Sequence, residues 1–362
     1  MSEFEIKQAK IQALLVEHHL DAILLQRASS FAWATCGASS YINTASTTGA
    51  ASLLITPTHR YLVTTNIEAT RLEQEEHLAE QGWEFKVTPW EEPQALASLT
   101  KGLKIGADFP YPGAADLSAD MAKLRSCLTP EECERFRWLG RQCAAAMQSS
   151  IYRLKPGMSE FEIAAMLGAE VQAQGIQPIV NLIATDERIF SFRHPLPTSK
   201  RLERYAMLVL CGRWRGLVCS ISRLAYFGSL PADLQRKMLA CARVDAVYHT
   251  ITRPGITLGT VIEQAQAAYA QSGFANEWRL HHQGGAAGYE SREFLGKPGS
   301  TDPVYEGQVY AWNPSITGVK SEDTLLVGEI SNENLTATPL LPSINIAIPG
   351  GTCERPAILE IL

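Results

Sequence analysis

Two histidines and one glutamate supply the side chains with which this chain could transfer protons. His194 follows an arginine and precedes a proline, His281 is the first of two adjacent histidines, and Glu322 precedes an aspartate. An imidazole titrates near neutral pH, and a carboxylate beside it can orient the ring or share its proton. We therefore predict that His194, His281 and Glu322 form an acid–base group.

Each of these residues also has a purely structural interpretation. His194 could stabilise a loop before a strand, and Glu322 could be the ion-pair partner of a nearby arginine. His281 and His282 are expected on a strand, where successive side chains point to opposite faces. The sequence therefore predicts that only one of the two faces a cleft.

The segment 204–232 contains neither aspartate nor glutamate, but it contains Arg213, Arg215 and Arg223. Hard divalent cations prefer carboxylate oxygens, and neighbouring cationic side chains repel them. This segment is therefore poorly suited to a two-metal site. Its thiols, Cys211 and Cys219, leave open a single zinc ion shared with His281, although buried thiols are also common in apolar strands.

Composition narrows the class of protein. The chain has 362 residues, of which 46% are hydrophobic and 19% charged, and its net charge is −6. This length favours two domains, and the acidic balance gives no reason to expect nucleic acid or an anionic membrane as partner. The sequence has no long apolar run and no signal-peptide core, so we expect no membrane span and a cytoplasmic location. It has no CxxC pair, and we expect its eight cysteines to be reduced.

The first part of the chain alternates helical and β-like patterns, which is typical of an α/β domain. A helix is predicted over 4–20 and a second over 67–79. Strands are predicted at 22–25, 51–55, 61–64, 85–87 and 104–107.

The second part begins at Thr129, which is predicted to cap a helix that extends to about Leu154. Two further helices open after similar Pro-Gly turns and end near glycines. Pro254 follows Pro156 by 98 residues, and Gly273 follows Gly175 by the same 98. The matching offsets indicate two related halves, with shared capping chemistry as the alternative explanation.

These tracts resemble the creatinase/prolidase/aminopeptidase P family. The similar segments are 128–147, 154–175, 192–197, 216–228, 281–289 and 307–327, with 29–33 and 51–69 in the first part. The resemblance implies an α/β (α+β) fold, in which a creatinase-type N-terminal α/β domain over 1–125 precedes a pseudo-two-fold pita-bread domain over 126–362. It also implies a homodimer.

Catalytic members of that family hold two divalent metals with two aspartates, one histidine and two glutamates. The resemblance places these five ligands at the following residues of this chain: Cys211 (or Val209), Ser220, Gly285, Asn313 and Glu322. Four of the five ligands are therefore replaced, and we expect neither the dinuclear metal site nor another cofactor.

The same resemblance assigns His194 to a substrate-side histidine, which is the acid–base group in creatinase, a metal-free member. His281 matches a second substrate-side histidine, which implies that His281 rather than His282 faces the cleft. Further substrate-binding candidates are Arg223, Tyr289, Arg292 and Asn313, although Tyr289 and Arg292 could equally be surface residues.

Together these residues imply a creatinase/Xaa-Pro aminopeptidase-like protein without the dinuclear site, acting as a metal-independent C–N hydrolase on a small amide, guanidino or peptide compound. The alternative is a non-catalytic pseudo-peptidase that binds a small anionic ligand, a peptide or a protein partner. The missing ligands disfavour a conventional metal-dependent Xaa-Pro peptidase.

Overall fold

The computed structural model describes residues 1–92 and 95–362, and these fall into two compact units. The first unit comprises Met1–Ser126 together with Arg215–Leu217. The second comprises Cys127–Trp214 and Val218–Leu362. Both units mix helices with sheets, which confirms the predicted α/β (α+β) fold class.

The first unit is built on one twisted sheet. Its described elements are α1 (Glu3–Glu17), β1 (Ala22–Arg27), α2 (Ala28–Ala34), β2 (Thr48–Ile55), β3 (Arg60–Thr65), α3 (Ala69–Gln74), β4 (Glu84–Thr88), α4 (Ala95–Thr100), β5 (Ile105–Ala107), β6 (Ala115–Asp116) and α5 (Ser118–Ser126). The strand order is β4-β3-β2-β1-β5-β6. The helix predicted over 67–79 is shorter than expected, because His77 has a φ of 53°, which a right-handed helix cannot contain.

The second unit follows with longer helices and two main sheets. Its elements are α6 (Pro130–Tyr152), α7 (Glu160–Gln172), β7 (Gln177–Thr185), α8 (Glu187–Ser191), β8 (Tyr205–Trp214), β9 (Leu217–Phe227), α9 (Ala232–Ile251), α10 (Leu258–Gln271), a 3₁₀ turn (Glu277–Leu280), β10 (Gly284–Ala287), β11 (Phe294–Leu295), β12 (Val309–Trp312), β13 (Ser315–Ile316), β14 (Val319–Lys320), β15 (Asp323–Leu326), β16 (Glu333–Asn334), β17 (Ser343–Ile348), β18 (Gly351–Pro356) and β19 (Leu359–Ile361).

Its two main sheets have the strand orders β19-β9-β8-β7 and β11-β10-β12-β15-β16. Short hairpins, β13-β14 and β17-β18, accompany them. An isolated bridge links the sheets, since the Ser222 N–H donates to the Glu322 carbonyl at 3.1 Å. Residues from the two sheets are thereby held side by side.

The predicted helix boundaries of this unit are confirmed. Thr129 and Glu132 form a capping box at the start of α6. The repeated glycines that follow Pro156 and Pro254 have φ values of 92° and 84°, a conformation that favours glycine. Both turns lead directly into side-chain-capped helices, α7 and α10.

A stack of aromatic rings forms part of the core beneath β12. The ring of Trp312 stacks on Tyr248 at 4.5 Å and on Tyr310 at 5.5 Å between centroids. The Trp312 indole N–H donates to the Thr252 hydroxyl at 3.0 Å, so its polar atom is satisfied although the side chain is buried. This packing fixes the end of β12, where Asn313 follows.

Among the described helices, none combines the length and the apolar composition required to cross a bilayer.

Candidate functional site

The loop that carries His194 is anchored at both ends by one buried carboxylate. Glu160, fully buried at the start of α7, accepts the backbone N–H of Thr185 at 2.8 Å and that of Thr198 at 2.9 Å. It is also ion-paired with Arg188. Because hydrogen bonds to a buried charge are strong, this arrangement holds the chain on either side of His194.

Three imidazoles meet in front of this loop. The Nε2 atoms of His194 and His281 lie 2.9 Å apart, and the rings of His281 and His282 have centroids 4.5 Å apart. Available ring nitrogens of all three lie within 4.8 Å of one another. The prediction that only His281 faces this region is wrong, because both residues precede β10, which begins at Gly284, so the alternation of a strand does not apply to them.

All three imidazoles favour the neutral form. Burial, followed by the positive charge of Lys320, lowers the pKa of His281 to about 2. Burial and then Arg292 lower the pKa of His282 to about 4. Burial and Lys320 also lower the pKa of His194. At neutral pH each ring can therefore accept one proton and donate one.

Glu322 lies beside these rings, but it is held by cations. Its carboxylate accepts the Ser222 hydroxyl at 2.5 Å and contacts Lys320 and Arg292 at 3.0 Å each. Burial would raise the pKa of Glu322, but Lys320 and Arg292 outweigh burial and lower the pKa to about 2. Glu322 is thus an ion-pair partner, which is the structural interpretation given above. Because its carboxylate stays ionised, it cannot donate a proton.

Arg292 joins the two halves of the site. Its guanidinium donates to the Ser220 hydroxyl at 3.1 Å and to Glu322 at 3.0 Å. The Cys211 thiol lies 3.2 Å from the Ser220 hydroxyl. Burial raises the pKa of Cys211 to about 11, so the thiol stays protonated. The guanidinium therefore contacts two of the five positions at which the resemblance places metal ligands, and a third, Cys211, contacts Ser220.

The other two positions carry neither a carboxylate nor an imidazole. A Cβ atom at Gly285 would lie 2.1 Å from the carbonyl oxygen of Phe294, well inside van der Waals contact. Asn313 is 2% exposed, and its Oδ1 has no hydrogen-bond partner within the described part of the chain. A neutral amide, a hydroxyl, a protonated thiol and a glycine fit a pair of divalent metal ions poorly, because such a pair binds best to carboxylate and imidazole ligands.

Two predicted substrate-binding residues are committed to the interior of the protein. Arg223 is ion-paired with Asp323 at 2.8 Å, and its remaining nitrogens donate to Thr338 and to backbone carbonyls. Tyr289 is 2% exposed, and its hydroxyl donates to Glu132 at 2.6 Å. The prediction that these two side chains contact a ligand is therefore not supported, because their donors already have buried protein acceptors.

The zinc alternative based on Cys211 and Cys219 does not match the geometry. Among the described residues, ligand atoms cluster within 4.8 Å in two groups, the three histidines and a trio formed by Asp245, His249 and Asp323. Neither thiol belongs to these groups.

Lys320, which forms an ion pair with Glu322, was not among the residues predicted from the sequence. The two residues are separated by one position in an extended segment, where side chains i and i+2 share a face. That spacing was the available signal for their contact.

A buried ionic network, also missed, lies behind the site. Arg355 donates to Asp245 at 2.8 Å, is ion-paired with Asp323, and lies 3.2 Å from His249. Burial would raise the pKa of Asp323, but the neighbouring arginines lower it to about 2. Because Asp323 is adjacent to Glu322 in the chain, this network fixes the backbone that presents the Glu322 carboxylate.

The model of metallopeptidase family M24 matches residues 134–329, more than half of the chain. An uncharacterized peptidase of Staphylococcus saprophyticus is 22% identical over 241 residues, which represent 63% of this chain and 67% of that protein.

Solved structures match over nearly the whole chain. The prolidase of Pyrococcus horikoshii has a TM-score of 0.77 at 20% identity and covers 92% of this chain and 98% of its own. The Xaa-Pro dipeptidase of Bacillus anthracis has a TM-score of 0.79 at 18% identity, over 99% and 100%. The X-Pro aminopeptidase of Thermotoga maritima has a TM-score of 0.75 at 18% identity, over 98% and 99%. Identities this low establish a shared fold, and the site must be judged by its own residues.

Proposed function

Because the chain belongs to metallopeptidase family M24, we propose that it keeps the family's cleft as a binding site for a small anionic ligand and works without the dinuclear metal centre. The predicted creatinase/prolidase/aminopeptidase P membership and pita-bread fold are confirmed by the family match and the structural relatives. The loss of the metal centre is the new element of the proposal.

One observation carries the proposal. The guanidinium of Arg292 lies between Ser220 and Glu322, at hydrogen-bond distances of 3.1 and 3.0 Å. A fixed cation at this point would repel a divalent metal at the same positions, since like charges a few ångströms apart interact strongly in a partly buried site. Arg292 and Glu322 thus form an internal ion pair where metal ligands are expected.

The charges around the ion pair favour an anion. Lys320 and Arg292 contribute two positive charges against the single negative charge of Glu322. The neutral rings of His194 and His282 are exposed and can donate N–H groups. A ligand carboxylate, such as that of a small organic acid or a peptide C-terminus, matches this combination of one net positive charge and neutral donors.

Ligand-induced stabilisation tests the proposal. We expect short peptides with a free C-terminal carboxylate to raise the melting temperature, and the same peptides with an amidated C-terminus to raise it less. In Arg292→Gln the difference between free and amidated peptides should shrink, while exposed Arg236→Gln is the matched control. Steady cleavage of a bound peptide, or cleavage stimulated by manganese or cobalt, would contradict a binding role.

A second candidate, metal-independent C–N hydrolysis, is favoured by one contact. His194 and His281 share a hydrogen bond of 2.9 Å between neutral rings. This contact orients the His194 ring, and because the ring is neutral it can accept a proton. This mechanism predicts turnover that is unaffected by chelators and abolished in His194→Ala, with His59→Ala as the control. Turnover that a chelator abolishes would count against it. A homodimer also remains a prediction, which sedimentation equilibrium can check.

A further inference from the structure

The three clustered histidines have a chemistry that neither candidate function uses in full. We propose that His194, His281 and His282 together bind a single divalent transition-metal ion of the zinc class. This site is distinct from the five ligand positions of the M24 family and goes beyond the proposed function.

Distances within the cluster are compatible with coordination. The closest ring nitrogens, the Nε2 atoms of His194 and His281, are 2.9 Å apart, and all three residues offer a nitrogen within 4.8 Å of the others. A tetrahedral zinc ion with Zn–N bonds of about 2.0–2.1 Å holds its nitrogens roughly 3.3 Å apart. Small rotations of the rings therefore bring the three nitrogens to the required spacing.

The buried ring of His281 is incompletely satisfied by the protein. It is 8% exposed, and its Nδ1 atom has no hydrogen-bond partner among the described residues. A buried polar atom without a partner costs free energy. Its Nε2 atom contacts another neutral imidazole. A coordinate bond through Nε2 would leave Nδ1 unpaired, but its free energy would offset part of the cost of burying the ring.

The burial of the cluster suits a metal ion. Neutral imidazole is the form of histidine that binds a metal, and the ring of His281 is largely withdrawn from water at 8% exposure. His194 and His282 are exposed, which leaves a path for the ion and a fourth coordination position open to water.

The neighbouring positive charges weaken the site, and the carboxylate of Glu322 offsets part of that effect. Lys320 and Arg292 are positive, but both are ion-paired with Glu322 at 3.0 Å, so the ion experiences about one net positive charge. Imidazole binds zinc, cobalt, nickel and copper through its nitrogen lone pair and needs no ligand charge to do so.

Titration of the chelator-stripped protein with Co²⁺ tests the proposal. We expect one Co²⁺ per chain, an intense visible spectrum typical of low coordination number, and displacement of the cobalt by Zn²⁺. Loss of a residue that only supports a metal ligand weakens metal binding by roughly 10–100-fold. His194→Ala and His282→Ala each remove a proposed ligand, so each should weaken Co²⁺ binding by more than this. His59→Ala, which removes an exposed histidine of the first unit, should bind as the parent protein does.

The proposal is overturned if neither Co²⁺ nor Zn²⁺ binds one-to-one. It is also overturned if the parent protein and both cluster variants bind the metal equally well. Because His194 and His282 are exposed, both variants are expected to fold, which circular dichroism verifies. The readout depends on the metal alone, so it can fail while the carboxylate-ligand proposal succeeds, or succeed while that proposal fails.

Discussion

Replacement of Arg355 by methionine should destabilise the second unit severely. Arg355 is 1% exposed and neutralises two buried carboxylates, those of Asp245 and Asp323. Asp323 keeps its ion pair with Arg223 at 2.8 Å after the change. Asp245 keeps the Ser321 hydroxyl at 2.5 Å but loses its guanidinium partner, so its charge becomes uncompensated in the interior.

The magnitude follows from this loss of one partner. Breaking a buried ion pair by removing one member costs about 3–5 kcal/mol, because the remaining charge stays desolvated. For a unit of this size each kcal/mol lowers the melting temperature by about 2–4 °C, so the expected decrease is about 6–20 °C.

Calorimetry and urea denaturation of the full chain measure this effect. Arg236→Met is the control, since Arg236 forms an exposed pair with Asp233 and such pairs contribute little. The double variant Arg355→Met/Asp245→Asn should recover part of the loss, because it removes the uncompensated charge. A decrease of less than about 1 kcal/mol in Arg355→Met would refute the argument that this network carries buried, mutually dependent charges.

Other changes give equally definite outcomes. Gly285→Ala should lower the free energy of unfolding by about 1–3 kcal/mol or more, because its Cβ would lie 2.1 Å from the backbone of the adjacent strand. Gly351→Ala is the control, since a Cβ there meets open space and should leave stability nearly unchanged. Equal denaturation midpoints for the two variants would contradict the close approach of β10 to β11. Glu160→Gln should loosen the loop around His194 and increase amide hydrogen exchange there, because a neutral amide replaces a carboxylate that accepts several hydrogen bonds. Unchanged exchange would show that other contacts hold the loop. Burial lowers the pKa of His249 from 6.5 to about 4. Between these two pH values the unfolded chain binds a proton that the folded chain does not, so the free energy of unfolding should fall as the pH decreases from about 6.5 to 4. Urea midpoints in His249→Gln should therefore depend less on pH over this range, and an identical pH slope in parent and variant would argue against a neutral buried imidazole.

Local signals in the sequence predicted the framework well. Thr129 and Glu132 form the predicted capping box, and the paired glycines Gly157 and Gly255 have the positive φ values that open the repeated helices. These features depend on residues a few positions apart, whose interactions follow from backbone geometry alone. The gap in acidic residues was likewise visible, and the structure places neutral Ser220 and Cys211 in that segment within 3.2 Å of each other.

Long-range contacts were not accessible in the same way. Arg292 meets Ser220 across 72 positions of sequence, and Arg355 meets Asp245 across 110. No periodicity reports such pairings, since they depend on how two sheets and the final hairpin pack. The buried ion pair of Arg223 was hidden for the same reason, because its carboxylate partner, Asp323, lies 100 residues away in the sequence.

The tight approach of β10 to β11 also sets a limit for protein engineers. Gly285 pairs with Leu295, and a Cβ at Gly285 would also lie 2.8 Å from the Leu295 Cα atom. A designer who wished to rebuild a two-metal peptidase in this scaffold could not begin with histidine at this position. Strand β11 must first be moved outward, and only then could ligands be installed one at a time without losing the fold.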